Sequence, residues 1–367
     1  MAPHQENISV DNMIDRCIIS EKSVKNTLTL LSRVYGPNIY NAEDVEKRMA
    51  KVAKYREQLK RLIELPRIEQ RTPIWYETRK GLITASDFAQ ALGEGKFGTQ
   101  KELLVKKCGY EAEAAFNATC PPLKWGTMFE PVAGTIYTQR NGTELIEFGL
   151  LKHPTIQYFG ASPDGVTENG IMVEIKCPFK RKINGEVPLQ YYYQIQGQLD
   201  VCGLDECDFF ECEFEEYDSF EDLEVWDEAE DSGVAGGSAS PRFERGVILE
   251  YADLVYKYSP TIGPKVRDWK EQLQKWMEND EDLAKVKKTH IYALVKTNTV
   301  RVYKSVDFLE EKLDLLKEVW DKIKEYRADK DLYLNEVGAA QKKEGGKSGP
   351  SVQAKTFGGF KLNGYAF

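Results

Sequence analysis

One stretch constrains the fold more than any other. Between Glu144 and Tyr217 the residue pattern predicts three short strands, at Glu144 to Leu151, Gln157 to Ala161 and Ile171 to Ile175. A helix at Leu189 to Val201 and a strand at Asp208 to Tyr217 follow. Ser162-Pro163-Asp164-Gly165 is a turn signal behind the second strand. In the last strand Phe210, Cys212 and Phe214 alternate with Glu211, Glu213 and Glu215, which predicts one dry and one acidic face.

Other elements flank this stretch. Residues 1–40 are weakly patterned. From Asn41, a helix N-cap, Val45, Met49, Val52, Tyr55, Leu59 and Leu62 define one helical face up to Leu65. Two helical segments are expected between Thr84 and Tyr110, and a third from Lys124 to Arg140. Beyond the stretch we expect a strand at Val247 to Tyr251, a helix around Lys265 to Met277, a hairpin (His290 to Val295, Thr299 to Tyr303) turning at Thr297-Asn298, and a helix from Asp307 to Arg327.

Charge is distributed unevenly. The net charge is −9, yet fifteen acidic and no Lys or Arg residues lie between Asp205 and Asp231, so the rest of the chain is net positive. Lys47 to Lys80 holds 11 basic residues against 4 acidic ones. This suits either a polyanionic partner or a solvated basic helix face. No run approaches the roughly 20 apolar residues of a membrane span. Seven cysteines without a C-x-x-C pair and three distant histidines predict free thiols in a reducing compartment and no zinc site.

The chemistry sits at the turn. Glu174 and Lys176 share a strand face, and Asp164 can approach that face across a hairpin. Two carboxylates suit Mg²⁺ or Mn²⁺, to which the Ile175 carbonyl would add an oxygen. By itself the spacing also describes a surface hairpin in which Glu174 and Lys176 pair across solvent. Arg79 offers a fork of donors for a phosphate beside a helix start at Thr84-Ala85-Ser86-Asp87, or a surface salt bridge to Glu77 or Asp87. Trp125 reads as core.

Five blocks occur in order: Trp75-Tyr-Glu-Thr-Arg79-Lys-Gly-Leu-Ile-Thr84-Ala-Ser86, Trp125-Gly-Thr-Met-Phe-Glu130, Ser162-Pro-Asp164-Gly165, Glu174-Ile-Lys176-Cys-Pro178 and Tyr193-Gln194-Ile-Gln196. Together the blocks resemble the PD-(D/E)XK nucleases, specifically the phage lambda exonuclease family, also called the YqaJ-type viral recombinase family. The resemblance implies an α/β fold with a central mixed sheet flanked by helices. It implies metal binding by Glu130, Asp164, Glu174 and Ile175, with Mg²⁺ or Mn²⁺, two per site. Lys176 assists the nucleophilic water, Gln194 sits beside the active site, and Arg79 and Ser86 bind a DNA 5′ phosphate.

The function so implied is hydrolysis of duplex DNA from its ends, 5′ to 3′, in viral recombination, repair or replication. The partners are double-stranded DNA ends, a single-strand annealing protein and, in a ring of three, further copies of the chain; a monomer stays open. Alternatives are an endonuclease or RNA-degrading relative, or a catalytically silent DNA-binding protein. The expected organisation is a helical extension at 1–70, a nuclease core at 71–217, an acidic then Gly/Ser-rich loop at 218–245, completing strands and helices at 246–335, and a flexible tail at 336–367. The expected setting is intracellular, in host cytoplasm or nucleus if viral.

Overall fold

The computed structural model describes residues 10–18, 23–36, 40–96, 98–109, 120–224, 244–263 and 266–338. Most of the expected acidic loop and nearly all of the expected tail lie outside the described residues. In chain order the strands are β1 (Ile83–Thr84), β2 (Leu145–Ile146), β3 (Leu151–Lys152), β4 (Phe159–Ala161), β5 (Gly165–Thr167), β6 (Met172–Lys176), β7 (Glu206–Tyr217), β8 (Arg245–Glu250), β9 (Tyr256–Tyr258) and β10 (Lys288–Tyr303).

A seven-stranded sheet has the order β2-β5-β6-β7-β10-β8-β9, and a smaller one the order β1-β4-β3. β6 and β7 run parallel while their outer neighbours pair antiparallel, so the main sheet is mixed. On one face Phe129, Val132 and Ile136 of the Pro121–Asn141 helix pack on Val173, Ile175, Phe210 and Phe214. The opposite face, with Met172, Cys207 and Phe209, is covered by the Leu189–Cys202 and Leu313–Ala328 helices. The α/β class with a mixed sheet between helices is therefore the fold. Among the described residues no helix is long and apolar enough to cross a membrane, and all seven cysteines are free and buried.

Two expectations are corrected. Residues 288–303 form one strand rather than a hairpin. Thr297 and Asn298 look like a turn by composition, but they pair with Cys212 and Glu211 of β7, and the irregularity is only a bulge between Leu294 and Lys296. The single strand expected at Glu144 to Leu151 is two pieces in different sheets. It breaks at Gly149 (φ 67°), where a Cβ would stand 2.1 Å from the Ile68 carbonyl oxygen. The weakly patterned N-terminus contains two helices, α1 (Val10–Ile18) and α2 (Val24–Tyr35). Their Ile14, Cys17 and Leu31 pack on Val45 and Val52 of α3 (Ala42–Ile63), which Asn41 caps as expected.

The acidic face of β7 is buried at Glu211 and exposed at Glu215. Glu206 and Asp208, at most 1% exposed, share the other face with Phe210 and Cys212. Arg48 of α3 donates to Asp15 of α1 (2.7 Å) and to Glu206 (2.7 and 2.8 Å). Arg301 of β10 holds Asp208 (2.6 Å) and reaches Asp15 (3.1 Å), while Lys54 pairs with Asp205. Arg48 and Lys54 of the basic stretch thus pair with Glu206 and Asp205 of the acidic one.

Burial alone would raise the Glu206 carboxyl, but hydrogen bonds from Arg48 and the charges of Arg301 and Arg48 hold it down to about 2. Its contribution to stability is complete above the ordinary glutamate value and is lost as pH falls through that range towards 2. Arg48→Ala leaves Asp15 and Glu206 to share Arg301 alone among their buried arginines and is expected to lower the free energy of unfolding by about 3 kcal/mol, measured by urea denaturation at pH 7.

Candidate active site

β5 and β6 pair as an antiparallel hairpin, Gly165 opposite Val173, with Asp164 at the mouth of β5. The Ile175 N–H donates to Asp164 Oδ2 at 2.7 Å, which pins that carboxylate to the end of β6. Glu174 is fully buried on the sheet face covered by the Leu189–Cys202 helix. Lys176 Nζ and Gln194 Nε2 (2.7 Å) donate to its Oε1, and Gln198 Nε2 (2.8 Å) donates to Oε2. Glu174 and Lys176 therefore pair inside the fold and not across solvent. Asp164, Glu174, Lys176 and Gln194 are brought together; Lys176 also lies 5.0 Å over the Tyr191 ring.

Glu130 lies on the Pro121–Asn141 helix, where Arg71 donates to it at 3.1 and 3.2 Å. Burial raises its carboxyl, and Glu174 adds to this while Arg71 and Lys176 oppose it. Burial, then Glu174 and Glu130, push the Asp164 carboxyl well above the ordinary aspartate range. Burial would lower the Lys176 ammonium, but Glu174 and Asp164 hold it above its ordinary value. The three carboxyl groups thus feel one another, and carboxylate oxygens are the donor type that a hard divalent cation takes. Among the described residues, however, no three His, Cys, Asp or Glu side chains converge closely enough to hold a metal ion. Glu130 stands with Arg71, and both Glu174 oxygens are engaged by protein donors.

Arg79 and Ser86 meet in a second cluster. Thr72 caps the helix α4 (Pro73–Lys80), and Arg79 Nη2 reaches Ser86 Oγ at 3.2 Å and Thr84 Oγ1 at 3.4 Å. The helix start expected at Thr84 is a capping box in which Asp87 accepts from the Thr84 N–H (3.1 Å) and hydroxyl (2.7 Å). Lys107 Nζ, buried, holds Asp87 at 2.7 Å and the Arg79 carbonyl at 3.1 Å. Burial pulls this lysine down to about 8, although Asp87 opposes the shift. Lys80 pairs with Glu77 at 3.1 Å.

The two clusters are close because Gly197 lets the Leu189–Cys202 helix press on the second one. A Cβ there would lie 3.0 Å from Phe159 Cζ and 3.2 Å from Ala85 Cβ. Trp125, expected in the core, is partly buried at its edge and packs on Phe129 and Phe179 at ring distances of 4.5 and 5.4 Å.

Sequence reasoning missed Gln198 and Arg71. Gln198 had a signal, since Gln190, Gln194 and Gln198 recur at i, i+4, i+8 on one helix face. Arg71, with its left-handed backbone (φ 65°), had none.

A buried carboxylate–lysine–glutamine constellation thus lies on a mixed sheet, next to a cluster of Arg79 with the Ser86 and Thr84 hydroxyls. Residues 74–205 match the YqaJ-like viral recombinase domain. An uncharacterized protein of Acanthamoeba polyphaga mimivirus is 27% identical over 85% of this chain, and a protein of African swine fever virus is 28% identical over 36% of it. The chain spans 63% of the first relative and 46% of the second. An alkaline exonuclease of Laribacter hongkongensis superposes with a TM-score of 0.41 at 18% identity, covering 75% of this chain and 98% of that one.

Proposed function

We propose that this chain is a metal-dependent nuclease that digests duplex DNA from its ends, 5′ to 3′. The observation that carries the reading is the meeting of Asp164, Glu174, Lys176 and Gln194 around a buried carboxylate, with Arg79 and Ser86 gathered in a neighbouring pocket. The recombinase-type domain match supports DNA as the substrate. It also supports a role in viral recombination, in which a single-strand annealing protein would be the partner.

Asp164 and Glu174, with Glu130 and the Ile175 carbonyl as further oxygen donors, would hold Mg²⁺ or Mn²⁺, which when bound polarises a phosphodiester and acidifies water. Lys176 offers positive charge where negative charge develops on the phosphate. Gln194 and Gln198 fix the Glu174 carboxylate. Arg79, a planar fork, and the Ser86 hydroxyl take the terminal phosphate, which selects ends over internal sites.

The test compares linear 5′-phosphorylated duplex, covalently closed duplex and RNA, each with Mg²⁺, with Mn²⁺ or with chelator. Nucleotide release from the 5′ ends of linear duplex alone, and only with metal, is expected. Cutting of closed circles would favour an endonuclease. Inert DNA in both metals would overturn the proposal.

A further inference from the structure

Trp75 touches both clusters. It lies one helical turn before Arg79 on α4, and its indole supports the Arg79 guanidinium at 4.3 Å. Its N–H donates to Ser162 Oγ at 3.1 Å, two residues ahead of Asp164. The Ser162 carbonyl in turn accepts from Gln198 Nε2 at 3.4 Å, the nitrogen that holds Glu174. Parallel pairing of β1 with β4, Thr84 opposite Gly160, sets the phosphate pocket and the catalytic turn at the same end of adjacent strands. The indole is the side chain that spans them, rigid and anchored at each end.

We propose that Trp75 is a positioning residue that fixes the distance between the terminal phosphate held at Arg79 and the bond presented to Asp164 and Glu174. This rests on reading Arg79 and Ser86 as the 5′-phosphate pocket. A terminal phosphate can align the scissile bond only if its pocket does not drift relative to the carboxylates, and small misplacements of a reacting group are costly. The ring contact serves pocket shape, and the N–H contact serves alignment. Trp75→Phe separates the two, since phenylalanine keeps an aromatic face under Arg79 and removes the bond to Ser162.

The experiment measures kcat and KM for the full chain on 5′-phosphate and 5′-hydroxyl duplex, for the parent, Trp75→Phe, Ser162→Ala, the double variant and Arg79→Ala. On phosphorylated duplex, Trp75→Phe should keep KM within about twofold and lower kcat roughly three- to tenfold, the effect of one neutral hydrogen bond. On hydroxyl ends kcat should fall much less, since no anchored phosphate needs aligning. Ser162→Ala should reproduce this, and the double variant should be no slower than either single variant. Ser162→Ala also decides the matter if Trp75→Phe fails to fold.

Equal losses on both ends, losses that multiply in the double variant, or a change in KM alone would overturn the proposal. If the parent shows no 5′-phosphate preference, the pocket reading falls and the strut with it. If Arg79→Ala abolishes the preference while Trp75→Phe and Ser162→Ala leave kcat unchanged, only the strut falls.

Discussion

Asp164→Asn is expected to slow digestion of linear duplex by roughly a thousandfold or more, the scale of losing a principal electrostatic group at a reacting phosphate. Duplex binding should persist or strengthen, because a negative charge facing DNA phosphates is gone. Folding should not suffer. The amide oxygen can still accept the Ile175 N–H that now reaches Oδ2 at 2.7 Å, and burial and the repulsion of Glu174 and Glu130 no longer act on a charge. Thermal unfolding should therefore begin no lower than in the parent. Normal turnover with Mg²⁺ would refute the role given to Asp164.

Glu174→Gln should be equally inactive but less clean. It removes the anionic partner of Lys176 inside the fold and so couples loss of activity to loss of stability.

Arg79→Ala carries the second large effect. If Arg79 grips the terminal phosphate, digestion of 5′-phosphorylated duplex should fall roughly ten- to a hundredfold, the worth of a charge-assisted bidentate contact. Digestion of 5′-hydroxyl duplex should fall far less. Arg79→Lys should restore only part of the loss, since an ammonium can neither present a planar fork to the phosphate nor lie flat on the Trp75 ring. Equal slowing on both substrates would mean that Arg79 supports the fold or binds backbone nonspecifically. The 5′-end assignment would then be withdrawn even with the Asp164 result intact.

The sequence by itself determined what depends on near neighbours. Period two placed Glu174 and Lys176 on one face, and the Ser-Pro-Asp-Gly turn placed Asp164 at a hairpin mouth. Asn41 marked the start of α3, and ordered motif blocks pointed to the domain family that residues 74–205 match. Gln198 was visible as a helical repeat whose purpose was not, because only the packed Leu189–Cys202 helix puts it on Glu174.

Tertiary structure alone decided what depends on distant partners. Thr297 and Asn298 resemble a turn until β7 supplies a ladder on which both pair. Glu206 and Asp208 share a strand face with Phe210 and Cys212, and only Arg48 and Arg301, from residues far away in sequence, let charges stay buried there. Trp75 resembles a core or stacking aromatic until Arg79 and Ser162 are seen at its two ends. Local periodicity reports which face a side chain takes; it carries no information about the partner across the fold that makes a buried charge or a polar tip affordable.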